Sequence, residues 1–232
     1  MMKIGIIGAM EEELCELKKL IENGTKNVIS EIEFWQGSYQ NHQIVIAQCG
    51  IGKVNAAICS QILISCFHVE KIINVGVAGA IRKDLHVKDI VISTDLVQHD
   101  FDVTGYGYVL GEIPRLDNYC FVADEHLVNL AYEIAQSLFK GIKIVKDRIV
   151  SGDIFISSKE AKEKLIQNFS PAATEMEGAA IGQACYLAKI PFLVIRTMSD
   201  EADDDASSTY DEFALDAASH SMKLVQEILK RI

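Results

Sequence analysis

The sequence predicts a single α/β domain in which helices flank a central mixed β-sheet. Three observations carry that expectation. Short, nearly continuous apolar runs such as "KIINVGVAGAI" and "IPFLVIRTMSD" have the character of strands buried on both faces. Segments with apolar residues three and four apart alternate with them, as strand–helix units require. No break in composition, internal repeat or low-complexity segment divides residues 1–232, so one domain is expected.

Taken in order, Lys3 to Ile7 is an apolar run bounded by Gly8 and predicts a buried strand. The spacing of Leu14, Leu17, Leu20 and Ile21 predicts an amphipathic helix ending near Gly24. Strands are expected over Val28–Gln36 and Gln43–Cys49, with "YQNHQ" turning between them. "GIGKVNAAICSQILISC" opens with glycines and continues at helical spacing, as a strand feeding a helix would. "KIINVGVAGAI" and "KDIVISTDLV" are the next strands, and His99–Tyr119, rich in Gly, Tyr and Asp, is a long loop of the kind that often carries function. Asp124–Lys140 is expected to be helical, Lys143–Val150 a strand, and Ser158–Asn168 a polar helix capped by its first serine. "AATEM" then predicts a short strand, Gly178–Ala188 a helix, "IPFLVIRTMSD" a strand, and Asp211–Ile232 a closing helix.

With 49% hydrophobic and 24% charged residues, the chain has the makings of a substantial core and not of a disordered polymer. A formal net charge of -11 disfavours nucleic acid and anionic membranes as partners, because both demand a dense field of Lys and Arg. A small diffusible ligand is the better expectation. The six cysteines never form a C-x-x-C pair, which fits reduced thiols in a cytoplasmic protein. The apolar stretch of "MMKIGIIGAMEEE" is too short for a signal peptide, and no run approaches a membrane span.

Several familiar signatures fail on inspection. "CGIGKV" lacks the first glycine and the hydroxyl residue of a phosphate loop, and "GIIGAM" lacks two glycines of the dinucleotide fingerprint. "HDFD" has no further His at ligand spacing, so no metal site is expected; Asp203, Asp204 and Asp205 suit a solvated loop, and Trp35 suits packing. Three acidic features remain: "MEEE", "EMEG" and "SDEADD". Each stands where an apolar strand gives way to a loop or helix, and ligands in α/β sheets gather at strand ends. Alone, each suits a structural or surface role. Together they would make a pocket rich in carboxylates and poor in cations. On a helix Glu11, Glu12 and Glu13 point about 100° apart, so at most two of them share it.

"KIGIIGAMEEE", "GIGKVNAA", "VSGDIFI", "EMEGAAI" and "RTMSDEAD" occur in this order over almost the whole chain. In this the sequence resembles the 5'-methylthioadenosine/S-adenosylhomocysteine nucleosidases of the nucleoside phosphorylase superfamily. The resemblance implies a nucleoside phosphorylase-like fold and hydrolysis of the bond between adenine and ribose, with no metal or organic cofactor. It implies that Asp200, oriented by Ser199, protonates adenine N7 and that Glu13 activates water. Glu177 would accept hydrogen bonds from the ribose hydroxyls beside the Met176 backbone, and Arg196 would order the water and ribose side. Phe155 would stack on adenine, with Ile156 offering backbone contacts to the purine edge. Met10 and Tyr210 would lie around the ribose and the 5'-alkylthio group, and Ala78 and Gly79 would be further substrate-binding residues. Glu175 is assigned to structure. Two departures stand out: the family often has Phe at Tyr210, and some relatives have Ser where Val77 stands. Homodimers are usual in the family, with the partner's long loop completing the 5' pocket, so the same is expected of His99–Tyr119. A phosphorylase would need cations around a phosphate, yet the chain has only five arginines and sets three glutamates at its first turn. Two further alternatives are a hydrolase of another purine nucleoside, such as futalosine, and a non-catalytic nucleoside sensor. Retention of Glu13, Glu177 and Asp200 together argues against the sensor.

Overall fold

Alternation of buried apolar runs with amphipathic segments produces, in the computed structural model of residues 1–232, ten strands and six helices. They are β1 (Lys3–Gly8), α1 (Cys15–Lys19), β2 (Glu22–Ile29), β3 (Ile32–Tyr39), β4 (His42–Gln48), α2 (Lys53–Ser65), β5 (Lys71–Ala80) and β6 (Ile90–Gln98). Then follow β7 (Phe121–Val122), α3 (Glu125–Leu138), β8 (Ile144–Ser151), α4 (Lys159–Phe169), β9 (Ala173–Glu175), α5 (Gly178–Ala188), β10 (Phe192–Asp200) and α6 (Ala206–Leu229). The sheet is mixed. Its central strand β5 runs parallel to β1 and β10 and antiparallel to β9. Because β10 also pairs with β6, β6 with β8 and β8 with β9, these five strands close on themselves as a small barrel. Strands β1, β4, β3 and β2 extend the sheet outward from it.

A core cluster of 54 buried residues runs unbroken through the barrel and the extension, which is why one domain forms and not two. Helix α3 faces it with Leu127, Ala131, Ile134 and Ala135, the three- and four-residue spacing of one helical stripe. Asp124 caps α3 by accepting from the Leu127 N–H at 2.9 Å, and Ser158 caps α4 through the Ala161 N–H at 3.3 Å. No helix is long and apolar enough to cross a membrane. All six thiols are free.

Several boundaries differ from expectation. The predicted helix through Ile21 stops at Lys19, because the chain turns at Leu20 to begin β2. The single strand expected over Val28–Gln36 is a hairpin, with Ser30 and Glu31 both at positive φ between β2 and β3. That turn carries no glycine or asparagine, and the side chains of β2 are almost all exposed, so neither turn chemistry nor alternation marks it. The closing helix begins at Ala206 and not at Asp211; its positive end is preceded by Asp203, Asp204 and Asp205. The two-residue strand β7, paired with β6, has no sequence signal of its own. His99–Tyr119 is irregular apart from a 3-10 turn at Thr104–Tyr106.

Candidate active site

The carboxyl ends of β1, β5 and β10 point the same way at the barrel mouth, the antiparallel β9 meets the end of β5 beside them, and a cavity of about 480 Å³ opens there. Each strand end delivers part of the lining: Ala9, Met10 and Glu13 after β1, Val77, Ala78 and Gly79 at the end of β5. Thr174 to Glu177 follow from β9, Ser199 and Asp200 from β10, and Phe155 from the segment after β8. Ile51 before α2 and Ser207, Tyr210 and Asp211 of α6 close the sides.

Glu13 ends a 3-10 turn that folds its side chain back over β1. One carboxylate oxygen accepts from the N–H groups of Ala9 at 2.7 Å and Met10 at 3.1 Å. The other accepts from the Val77 N–H at 3.1 Å. Glycine is needed opposite: a Cβ on Gly76 would stand 2.6 Å from that oxygen and 3.3 Å from the Arg196 guanidinium carbon. Burial pushes the Glu13 pKa up, opposed by the Arg196 charge and by the three amides.

Asp200 is the last residue of β10, just past a break in the register with β5 between Met198 and Asp200. Such an irregularity re-aims side chains at a strand end. The Ser199 hydroxyl donates to one oxygen of Asp200 and the Ala202 N–H to the other, both at 2.8 Å. Burial raises the Asp200 pKa against these two donors. The carboxylate lies so close to β5 that a Cβ on Gly79 would meet it at 2.8 Å.

Glu177 is the residue before α5, yet it does not cap that helix. Glu175 does, accepting from the N–H groups of Glu177 at 3.1 Å and Gly178 at 2.8 Å. Its other oxygen takes the Ser151 hydroxyl, which in turn accepts from the Ala179 N–H at 2.7 Å. This leaves Glu177 free to face the cavity, steadied by the Gly52 N–H at 2.8 Å. Gly52 sits at φ +98°, a backbone that side-chain-bearing residues rarely adopt. Burial and the neighbouring Glu175 charge push the Glu177 pKa up to about 8.

Of the residues named from sequence, Met10, Glu13, Ala78, Gly79, Phe155, Met176, Glu177, Ser199, Asp200 and Tyr210 line this cavity. Ile156 is buried and lines a small recess beside it, with Phe155, Met176 and Asp200. Arg196, expected to order the water and the ribose side, does not line the cavity itself: it is 2% exposed and stands behind the carboxylates. There its guanidinium bonds Glu175 at 2.5 Å and the Asn74 side chain at 2.6 Å. A charge of that size goes inward because the acid that caps α5 points inward too. Glu175 touches the cavity, but its bonds are those of a helix cap. Ring packing places Phe155 edge-on to Tyr210, whose hydroxyl donates to the Met10 sulfur at 3.3 Å. The acids of "HDFD" are occupied elsewhere: Asp100 pairs with Lys53 at 2.5 Å and Asp102 accepts from the Thr104 N–H.

Sequence reasoning did not single out Asn74, Ser151 or Gly52. Ser151 and Gly52 lie inside the quoted motifs "VSGDIFI" and "GIGKVNAA", but a hydroxyl or an amide has no spacing rule that ties it to a distant carboxylate. Asn74 is a polar residue inside an apolar strand, a signal that was available.

The family model described as the phosphorylase superfamily matches residues 3–232. The chain is 42% identical over 230 residues to the 5'-methylthioadenosine/S-adenosylhomocysteine nucleosidase of Staphylococcus carnosus, covering 99% of this chain and 100% of that one. Among solved structures, that of the nucleosidase of the same name from Neisseria meningitidis, in complex with methylthio-immucillin-A, matches with a TM-score of 0.96 and 38% identity over 100% of both chains. The futalosine hydrolase of Helicobacter pylori is similar as well, with a TM-score of 0.95 and 35% identity over 100% of this chain and 98% of that one.

Proposed function

This chain belongs to the phosphorylase superfamily and, within it, to the 5'-methylthioadenosine/S-adenosylhomocysteine nucleosidases, and from that premise we propose how its cavity breaks the bond between adenine and ribose. It is an N-glycosyl hydrolase that releases adenine and a thioribose. The observation that carries the mechanism is a cavity lined by Glu13, Glu177 and Asp200 and by no Lys or Arg.

Asp200, whose pKa burial raises, is the acid that gives a proton to adenine N7 as the base leaves. Ser199 and the Ala202 amide orient the donor. Glu13, held by three amides that favour its charged form, takes a proton from the attacking water. Val77 supplies one of those amides through its backbone, so the missing serine hydroxyl does not loosen the base. Positive charge grows on the sugar between Glu13 and Glu177, where carboxylates favour it. Glu177 binds the ribose hydroxyls, Phe155 stacks on adenine, and Ile156 lies by the purine edge.

A phosphate co-substrate would need cationic cover, and the nearest guanidinium, Arg196, is already held by Glu175 and Asn74. Water is therefore the acceptor. The polar groups engage the base and the ribose while Met10, Ile51 and Phe155 offer apolar surface, so 5'-deoxyadenosine falls within the proposed range. Because a futalosine hydrolase has a similar backbone, we assign 5' discrimination to side chains such as Tyr210.

A homodimer is part of the proposal. Val54 and Ile58 of α2 and Leu187 of α5 form an exposed apolar face beside Ile51, which is 55% exposed and borders the cavity. A second copy on that face would bury it and bring its own His99–Tyr119 loop, with exposed Tyr106 and Val109, toward the 5' end. Six free thiols suit a reducing, cytoplasmic setting.

The test is incubation with 5'-methylthioadenosine, with and without phosphate, followed by identification of the sugar. Free methylthioribose formed without phosphate is expected. Methylthioribose 1-phosphate formed only with phosphate would overturn the mechanism.

A further inference from the structure

Three buried carboxylates, Glu13, Glu175 and Glu177, surround one cation, Arg196. If all were charged, the group would carry uncompensated negative charge where water is largely excluded. Which of them gives way follows from the donors that each receives. Glu13 accepts from three backbone N–H groups. Glu175 accepts from two, and also from the Ser151 hydroxyl and the Arg196 guanidinium. Glu177 accepts from the single amide of Gly52, and its second oxygen lies 4.0 Å from Arg196 Nη2.

Asn74 keeps the arrangement from relaxing. Its oxygen accepts from Arg196 Nη2 at 2.6 Å while its amide nitrogen donates to the Ile7 carbonyl at 2.9 Å, so the guanidinium is tethered to β1 through β5. Swinging toward Glu177 would break this bond and the ion pair with Glu175 together. The remaining groups that face Glu177 bring no positive charge: the Cys49 thiol after β4, the Glu13 carboxylate after β1 and the Gly52 amide before α2.

Building on the reading of Glu177 as the ribose ligand, we propose that Glu175 is a positioning residue for it. By capping α5 and holding Arg196, Glu175 leaves Glu177 as a protonated carboxylic acid in the empty site at neutral pH. Two consequences follow for the reaction. A neutral Glu177 both donates to and accepts from the neighbouring ribose hydroxyls. Its ionised form, with the proton released to water, gains ground once positive charge stands on the sugar, so the site favours the cation over the neutral ground state. The direction in which burial and Glu175 move the Glu177 titration agrees with this.

Infrared difference spectra of the unliganded enzyme, recorded from about pH 5 to pH 9, read the carbonyl stretch of protonated carboxyl groups. Glu177→Gln removes one band and so assigns it. In Glu175→Gln, with the competing charge gone and Arg196 released, that band is expected to titrate lower by about one pH unit or more, a tenfold change in protonation constant. The limb of the kcat/KM pH profile that belongs to Glu177 moves with it. Ser151→Ala removes one donor from Glu175 and moves the band in the same direction by less, which serves if Glu175→Gln does not fold. A merely structural Glu175 would lower activity at every pH and leave the band in place. An unmoved Glu177 band in folded Glu175→Gln and Ser151→Ala overturns the proposal, as does a parent enzyme with no Glu177 band at neutral pH. Failure of the nucleosidase reading would look different, since the parent would then release no adenine from 5'-methylthioadenosine.

Discussion

Asp200 and Glu13 are both buried acids, and the opposite tasks proposed for them follow from the donors that hold them. Glu13 has three amides and a nearby guanidinium on the side of the charged form, whereas Asp200 has one amide, one hydroxyl and no adjacent guanidinium. Asp200→Asn keeps the shape but cannot give up a proton in the same way, so kcat should drop by roughly 10²- to 10⁴-fold with KM little changed. Measured adenine release at the parent rate would sink the acid assignment. The pH dependence has a defined sign. Activity should fall on the alkaline side as Asp200 loses its proton, at a pH above the ordinary aspartate range because burial raises its pKa. It should fall on the acid side as Glu13 becomes protonated, and Asp200→Asn should remove the alkaline step that belongs to Asp200 while leaving the acid limb and the Glu177 limb in place. At Tyr210 the hydroxyl makes one wall of the cavity polar, beside Ser207 and Asp211. Tyr210→Phe should lower kcat/KM for S-adenosylhomocysteine relative to 5'-methylthioadenosine, by less than about tenfold for one hydrogen-bonding group. Equal ratios in parent and variant would remove Tyr210 from 5' discrimination.

Strands and helices act here by where they end. The opening of α5 was legible in "TEMEGAA", because acids before a run of small residues mark a helix start. That Glu175 caps the helix while Glu177 faces the cavity was not, since alternation along a strand would put both on one face. The chain turns from β9 into α5 between them, and Arg196 of β10 selects the inward one. The β5–β1 seam is equally specific. Gly76→Ala would drive a Cβ into the Glu13 carboxylate, so turnover should fall more than tenfold, with a stability loss of about 1–3 kcal/mol. Denaturant unfolding and adenine release on the same sample check both; a fully active Gly76→Ala enzyme would mean that Glu13 tolerates displacement. The hairpin of β2 and β3 stayed hidden because its turn at Ser30 and Glu31 uses positive φ without glycine.

For the whole molecule, a crowded set of buried acids costs stability in a pH-dependent way. Glu177 has a folded pKa of about 8 against an ordinary 4.5, so the folded state binds its proton more tightly than the unfolded chain does. The stabilisation from that proton is fully present below 4.5 and is lost as pH rises through about 8. Glu177→Gln cannot ionise, so its thermal midpoint should exceed that of the parent near pH 8.5 by more than it does near pH 5. Scans at the two pH values decide; an equal offset at both would contradict a raised Glu177 pKa. Assembly belongs to this scale as well. Leu187→Glu places a charge on the exposed apolar face of α2 and α5, and should yield monomers in sedimentation together with a higher KM. A monomeric parent with full activity would refute the dimer.

The sequence by itself determined the α/β class and most strands of the barrel, because apolar runs are local properties of the chain, and its motifs singled out the acids that line the cavity. It also pointed to a ligand site at strand ends. Only the tertiary structure decided that five strands close into a barrel, since pairing β10 with both β5 and β6 depends on partners distant in sequence. It alone placed Arg196 behind the cavity and tied it to Asn74, 122 residues away, and to Glu175, 21 residues away. The physical reason is common to both: burial and charge pairing depend on which groups meet in space, and no spacing along the chain encodes that meeting.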